Sequence, residues 1–249
     1  MVMADTKIVK RADGTLLIER FPPIRRVEHI LVILTFVVLV MTGFPQKFYE
    51  ASWATGLLNF FGGLDKARVW HRVTGIIFTF HAFVHMGAIA VGVASEKMRL
   101  TLLPTSRDFR DVFATLRYYF GQTNEHPQYG KYDYRQKFEY LGLVLGGLIM
   151  ISSGLILLFP GWTSSFAPGQ LIPAARLAHS NEALLAFCVL VVWHVYGSHL
   201  SPDVFPMDTS VFTGYMTEEQ LKKHHVLEYY RLFPDKKPAP GSESSDHHA

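Results

Sequence analysis

Four stretches of the chain are apolar almost without interruption: roughly Val27–Phe44, Val69–Ala94, Phe138–Phe159 and Ala174–Leu200. A bilayer core of ~30 Å is crossed by about 20 helical residues. The pattern therefore predicts an all-α, integral membrane bundle of four transmembrane helices. The first stretch ends at Thr42-Gly43-Phe44-Pro45, a Gly/Pro helix stop, and the third at Pro160-Gly161. The first is not read as a cleavable signal, because the long region before it is polar and no small-residue cleavage site follows. The expected organisation is a tail (1–26), a membrane domain (27–200) and a second tail (201–249) that is Pro/Ser/charge-rich and disordered from about Pro234. Between the second and third spans, Phe109, Val112, Phe113, Leu116 and Phe120 recur at helical spacing, which predicts an amphipathic helix lying on the membrane.

Charge sets the expected orientation. Lys7, Lys10, Arg11, Arg20, Arg25 and Arg26 precede the first span. Lys97, Arg99, Arg107, Arg110, Arg117, Lys131, Arg135 and Lys137 fall between the second and third, and Lys222, Lys223, Arg231, Lys236 and Lys237 follow the fourth. The two remaining loops carry only Lys47, Lys66, Arg68 and Arg176. Basic residues stay in the cytoplasm, so both termini are expected there. Trp53, Phe60, Phe61, Trp70 and Trp162 then fall at the outer face, as an aromatic belt or a partner surface.

Composition narrows the chemistry. The chain has 249 residues, 49% of them hydrophobic and only 18% charged, which agrees with the membrane class. Its single cysteine, Cys188, excludes a disulfide framework, and no Cys-x-x-Cys-His exists to attach a c-type haem. Cysteine clusters for zinc or iron–sulfur centres are absent from the sequence.

Histidine is the unusual residue. The apolar stretches and their edges hold His29, His71, His81, His85, His179, His194 and His199. Ionisable groups inside a span are costly and functional by default. His71 and His85 are fourteen residues apart, His179 and His194 fifteen. At ~100° per residue each interval returns to within about 60° of one face. At 1.5 Å per residue it spans roughly 21–22 Å. The second and fourth helices run in the same direction, so His71 and His179 share an outer level and His85 and His194 an inner one. His29, at the start of the first helix, joins the inner level. Two layers of facing imidazoles suit two haems stacked across a membrane, with both axial positions of each iron filled. Zinc favours three or four ligands at one level and fits this pattern poorly.

These features resemble the gamma, or cytochrome b, subunit of respiratory formate dehydrogenases, with the related b-type cytochromes of nickel–iron hydrogenases and thiosulfate reductases. The resemblance covers roughly residues 20 to 231. It rests on Arg25-Arg26-Val27-Glu28-His29, Thr42-Gly43, His71, Tyr132-Asp133-Tyr134-Arg135-Gln136-Lys137, Leu177-Ala178-His179, Trp193-His194-Val195-Tyr196, Thr213-Gly214-Tyr215-Met216 and Lys222-Lys223-His224-His225. It implies two haem b groups, the outer held by His71 and His179 and the inner by His29 and His194. It also implies a quinone, menaquinone or ubiquinone, near the start of the third helix, where the family has Asn and this chain has Asp133. A carboxylate there exchanges protons, which Asn cannot do. Pairing with Lys131, Arg135 or Lys137 is the plainer role for it. His85 is extra, and three roles stay open: inner ligand in place of His29, quinone contact, or a third haem shared with His199. Arg68 and Arg72 flank His71 and suit haem propionates or interfacial anchoring. Gly142, Gly146 and Gly147 suit close packing on the third helix. Glu182, one turn beyond His179, suits packing, a propionate network or a proton path. Lys222-Lys223-His224-His225 reads as a solvated face.

The expected function is a membrane di-haem cytochrome b subunit of a respiratory oxidoreductase complex in a bacterial or archaeal cytoplasmic (inner) membrane. It carries electrons between a periplasmic partner, an iron–sulfur or multihaem cytochrome c subunit serving a catalytic subunit, and a quinone near the cytoplasmic side. Nucleic acid is not an expected partner. The reverse flow, quinol oxidation feeding a periplasmic multihaem cytochrome, is one alternative. A histidine-lined metal transporter or a haem-free membrane anchor is another of a different class.

Overall fold

The computed structural model describes residues 2–3, 6–96, 98–125, 127–202 and 204–237. Short strands β1 (Val2–Met3), β2 (Ile8–Lys10) and β3 (Leu16–Glu19) precede helix α1 (Pro23–Lys47). Then come α2 (Ser52–Phe60), α3 (Leu64–Ala94), β4 (Met98–Arg99), α4 (Ser106–Tyr119), α5 (Tyr134–Leu158), α6 (Pro160–Phe166) and α7 (Leu171–Cys188). Helix α7 continues without a break into a wider π-type coil, Val189–Leu200. The tail forms α8 (Ser210–Thr213), β5 (Tyr215–Thr217), α9 (Glu218–His224), α10 (Val226–Leu232) and a 3₁₀ turn, Pro234–Lys236.

Four helices are long and apolar enough to cross a membrane: Pro23–Lys47, Leu64–Ala94, Tyr134–Leu158 and Leu171–Leu200. Their apolar side chains face outward, where lipid covers them: Val27, Leu34, Phe80, Leu148 and Val192 are all exposed. The polar threonines and serines point inward instead, Thr35, Thr42, Thr74 and Ser153 among them. This inversion of the soluble pattern is what a bilayer solvent favours, since polar side chains then hydrogen-bond across helices. Helix α1 packs on α3, and α5 packs on α7.

The first span runs through the expected Gly/Pro stop. Pro45 lies inside the last turn of α1. Proline there leaves only the Met41 carbonyl without its amide, a small cost near a helix end. Gln46 Nε2 meanwhile donates to the Thr42 carbonyl at 2.8 Å. The third span opens as the sequence suggests, with Asp133 as N-cap accepting from the Gln136 amide at 2.9 Å and Gln136 reaching back to the Asp133 amide.

The two tails join at one end of the bundle. Strands β2, β3 and β5 form an antiparallel sheet in that order, with Ile18 opposite Met216. Ile18, Met216, Leu221 and Tyr229 make its small buried core. Gly214 takes a left-handed turn (φ 88°) ahead of β5, and a Cβ there would meet the Phe21 carbonyl at 2.8 Å. Arg26 donates to the Phe212 carbonyl at 2.7 Å, fastening the tail to the start of α1. The run Lys222-Lys223-His224-His225 is thus not uniformly solvated. Lys222 and Lys223 are exposed, while His225 is buried and its Nδ1 lies 2.7 Å from the Gly130 carbonyl. Of the stretch expected to be disordered, Pro234–Lys236 is a turn and residues 238–249 lie outside the described residues.

Helix α4 lies at the same end, against the start of α5. Lys137 Nζ donates to Asp108 at 2.7 Å and the Phe109 and Phe138 rings meet edge-on. Its exposed stripe is Phe109, Phe113, Leu116 and Phe120. At the opposite end, α2 and α6 carry the exposed Trp53, Phe60, Trp162 and Phe166. Trp70 lies within α3, so that part of the aromatic belt is helix rather than loop.

Candidate functional site

The span histidines meet in pairs. His71 on α3 faces His179 on α7, with ring centres 6.2 Å apart. His29 on α1 faces His194 on the π-type coil, also at 6.2 Å. The first pair lies toward the α2/α6 end and the second toward the end where the tails join. The change from α to π coil falls between His179 and His194. One imidazole of that span meets α3 and the other meets α1. The sequence offers a regular helix there. The wider coil is marked by the Ser201 amide bonding the Tyr196 carbonyl five residues back, at 2.9 Å.

Each ring at the His71/His179 level rests on a hydroxyl followed by glycine. Thr42 Oγ1 donates to the Val38 carbonyl at 2.6 Å and lies 3.0 Å from His71 Nδ1. Ser153 Oγ donates to the Ile149 carbonyl at 2.5 Å and lies 3.0 Å from His179 Nδ1. With its only proton committed to a carbonyl, each hydroxyl must accept from the imidazole. Nδ1 therefore carries the hydrogen and Nε2 presents a lone pair. The glycines make the room. A Cβ at Gly43 would meet His71 Cε1 at 3.0 Å, and one at Gly154 would meet His179 Cε1 at 3.2 Å.

At the other level the supporting group is a carboxyl side chain. Glu139 Oε2 lies 3.1 Å from His194 Nδ1. A carboxylate accepts, so Nδ1 again carries the hydrogen and Nε2 is the free lone pair. Among the described residues, the Nε2 atoms of His71, His179 and His194 have no protein hydrogen bond.

His85 differs from these three. Its Nδ1 lies 3.2 Å from Glu28 Oε2 and 3.2 Å from Arg25 Nη1, and its Nε2 lies 3.4 Å from the Tyr140 hydroxyl. His81 is its ring neighbour, at 6.3 Å. The ring that meets His194 is His29. His199 has a buried Nδ1 with no hydrogen-bond partner among the described residues. Asp133 is occupied locally, capping α5 and accepting from Arg135 Nε at 3.0 Å and Nη2 at 2.8 Å. Arg72 is exposed beside His71, and Arg68 pairs with Asp65 at 3.6 Å. Glu182 lies against Gly146 on α5, where a Cβ would strike its carboxylate.

Residues 20–202 match the family model of the prokaryotic cytochrome b561 proteins. The chain belongs to that family. It is 26% identical over 227 residues to the cytochrome b556 subunit of formate dehydrogenase from Haemophilus influenzae, an alignment covering 90% of this chain and 86% of that one. It is 25% identical over 225 residues to the cytochrome b556(fdo) subunit of formate dehydrogenase from Escherichia coli K12, covering 89% and 94%. The resemblance drawn from the motifs is therefore borne out, as is the four-helix membrane architecture. This is a multi-pass prokaryotic membrane cytochrome b.

Haem b is the group such a family holds, and the residues fit it. Two imidazoles bonded at about 2 Å to opposite sides of one metal have ring centres about 6 Å apart. Both pairs stand at 6.2 Å. The imidazoles with fixed Nδ1–H present Nε2, the nitrogen that a haem iron would take. Among the described residues no three His, Cys, Asp or Glu side chains converge as a metal cage would need. Sequence reasoning found the four paired histidines but not their supports. Thr42-Gly43 reads as a helix stop, and Ser153-Gly154 and Glu139 carry no signal until the histidines are seen against them.

Proposed function

We propose that this chain is the membrane di-haem subunit of a respiratory oxidoreductase complex, carrying electrons between a periplasmic partner and a quinone near the cytoplasmic face. The observation that supports it best is the two imidazole pairs, each at 6.2 Å and toward opposite ends of the bundle. His71 and His179 hold one haem b, and His29 and His194 the other. Held by these residues, haem would supply one-electron transfer at each level. The chain's own residues do the rest. Thr42, Ser153 and Glu139 fix the imidazole tautomers. Gly43 and Gly154 let the rings lie close. Arg72 is placed for a propionate on the His71 side.

The basic residues favour the cytoplasm for the end where the tails join. The His29/His194 level then lies on the cytoplasmic side and the His71/His179 level on the periplasmic side. Charge moved between them works against or with the membrane potential, on the order of 2.3 kcal/mol per charge per 100 mV. The named relatives are subunits of formate dehydrogenases. We infer a like assembly here, with a catalytic subunit and a periplasmic electron carrier docking near Trp53, Phe60 and Trp162 in the inner membrane of a prokaryote. The deciding experiment is a dithionite-reduced minus oxidised spectrum with a pyridine haemochrome count on the purified chain. Two low-spin b haems per chain is the expected result. A colourless protein from haem-replete cells would overturn the reading.

A further inference from the structure

One polar cluster inside the spans is not used by the haem pairs. It joins three helices at the end where the tails meet. Arg25 and Glu28 come from α1, His85 from α3 and Tyr140 from α5. Arg25 Nη1 and Glu28 Oε2 are 2.5 Å apart, and both reach His85 Nδ1 at 3.2 Å. One turn earlier on the same face, His81 has a buried Nε2 with no hydrogen-bond partner among the described residues. Intramembrane ionisable groups of this kind mark functional sites by default.

We propose that His85 and Tyr140 bind the headgroup oxygen of the quinone, with Arg25 and Glu28 holding the imidazole. This rests on the quinone reading above and names its contact. Charge selects a neutral ligand. Glu28 already faces Arg25 and His85, so an added anion would meet a carboxylate, and a metal cation would find an arginine. A quinone is neutral, apolar in its body and hydrogen-bonding at its oxygens.

His85 differs in its tautomer from the histidines assigned to iron. His71, His179 and His194 each have Nδ1 against an acceptor, so their Nε2 is a fixed lone pair. His85 Nδ1 has an acceptor and a donor at the same 3.2 Å. Its hydrogen sits on Nδ1, toward Glu28, or on Nε2, with Arg25 donating to Nδ1. In the first form Nε2 accepts from a quinol hydroxyl, and in the second it donates to a quinone carbonyl. A site for both redox states of one ligand needs that exchange, and an iron ligand does not.

Position agrees. Glu28 is next in sequence to His29, and Tyr140 is next to Glu139, which holds His194. The cluster thus adjoins His29 along the chain and reaches His194 by way of Glu139. On α3, Phe80 and Val84, 70% and 50% exposed, run beside His81 and His85. That stripe opens the site to the hydrocarbon from which a lipid-soluble quinone arrives. Asp133, by contrast, is engaged in its helix cap and with Arg135.

The test is fluorescence titration of the haem-loaded full chain with an alkyl-hydroxyquinoline N-oxide, a quinol analogue. His85→Ala and Tyr140→Phe are each expected to weaken binding by about tenfold or more, the worth of one buried hydrogen bond. Both variants should keep two haems with unchanged α-bands, which also shows that they fold. Wild-type affinity in both would place the headgroup elsewhere. Loss of a haem in His85→Ala would make His85 an iron ligand and overturn the proposal. An analogue that fails to bind the wild type would sink the quinone reading itself, a result distinct from either.

Discussion

The two imidazole pairs share a spacing and differ in what stands behind them. At the His71/His179 level both rings lean on neutral hydroxyls, Thr42 and Ser153, each beside a glycine. At the His29/His194 level a carboxylate, Glu139, backs one ring, and Arg25, Glu28, His85 and Tyr140 gather close by. A hydroxyl fixes a tautomer without adding charge. A carboxylate also makes the imidazole more electron-rich, which favours oxidised iron. On the function proposed above, one level would hold its carrier behind neutral supports, and the other would hold its carrier with polar groups close by.

The largest effects should come from the paired histidines. His71→Ala and His179→Ala should each halve the haemochrome count and leave the other haem's spectrum in place. His29→Ala and His194→Ala should do the converse. If single alanine variants at one level removed both haems, or neither, the two-level comparison would break.

Next in size are the supports. Thr42→Val and Ser153→Ala take away the group that fixes Nδ1–H. Lost outer contacts of this kind cost metal sites about 10–100-fold in affinity. Haem titration of the stripped protein should show that loss at one level only. Gly43→Ala should act in the same direction, because its Cβ would crowd His71 Cε1 from 3.0 Å.

How much of this the sequence carried depends on distance along the chain. The four spans, the capped start of α5 and the depth of His29, His71, His179 and His194 follow from local periodicity and helical rise. Pro45 misleads because a proline in a last turn breaks only one bond. The π-type coil carries no compositional sign in Val189–Leu200, although His194 lies within it. Pairings between distant residues leave no local signal in the sequence. Ser153 meets His179, Glu139 meets His194 and Ile18 lies opposite Met216, and none of these is a periodicity. The tail run ending in His225 reads as solvated because its neighbours are lysines, and its burial against the Gly130 carbonyl is a contact between residues distant in the chain.

Glu139→Gln probes the electrostatic half of the comparison. The amide still accepts from His194 Nδ1 but has lost the charge. The midpoint potential of one haem should rise by something on the order of 60 mV, a tenfold change in a one-electron equilibrium. The other haem should not move. A redox titration followed at the α-band separates the two. Equal shifts at both levels would mean that Glu139 acts through the bundle's overall charge rather than through His194.

The smallest effect concerns the two ends rather than the two pairs, and it turns on pH. Burial pushes His225 down from 6.5 to about 3, with Arg20, His224 and Lys131 adding to the shift and the Gly130 carbonyl opposing it. The folded tail layer therefore holds His225 neutral, while an unfolded tail takes up the proton near 6.5. Stability from this group is fully present above 6.5 and is lost progressively as pH falls from there toward about 3. Amide protection in β5, α9 and α10, corrected for intrinsic exchange, should fall by up to about tenfold per pH unit below that point. Protection in α2 and α6, at the opposite end, should not follow it. His225→Asn, which keeps a side-chain donor for the Gly130 carbonyl without a titrating ring, should flatten the dependence. If the slope survived that change, the acid sensitivity would belong to the carboxylates of the layer, Glu218 and Glu228, and not to the buried imidazole.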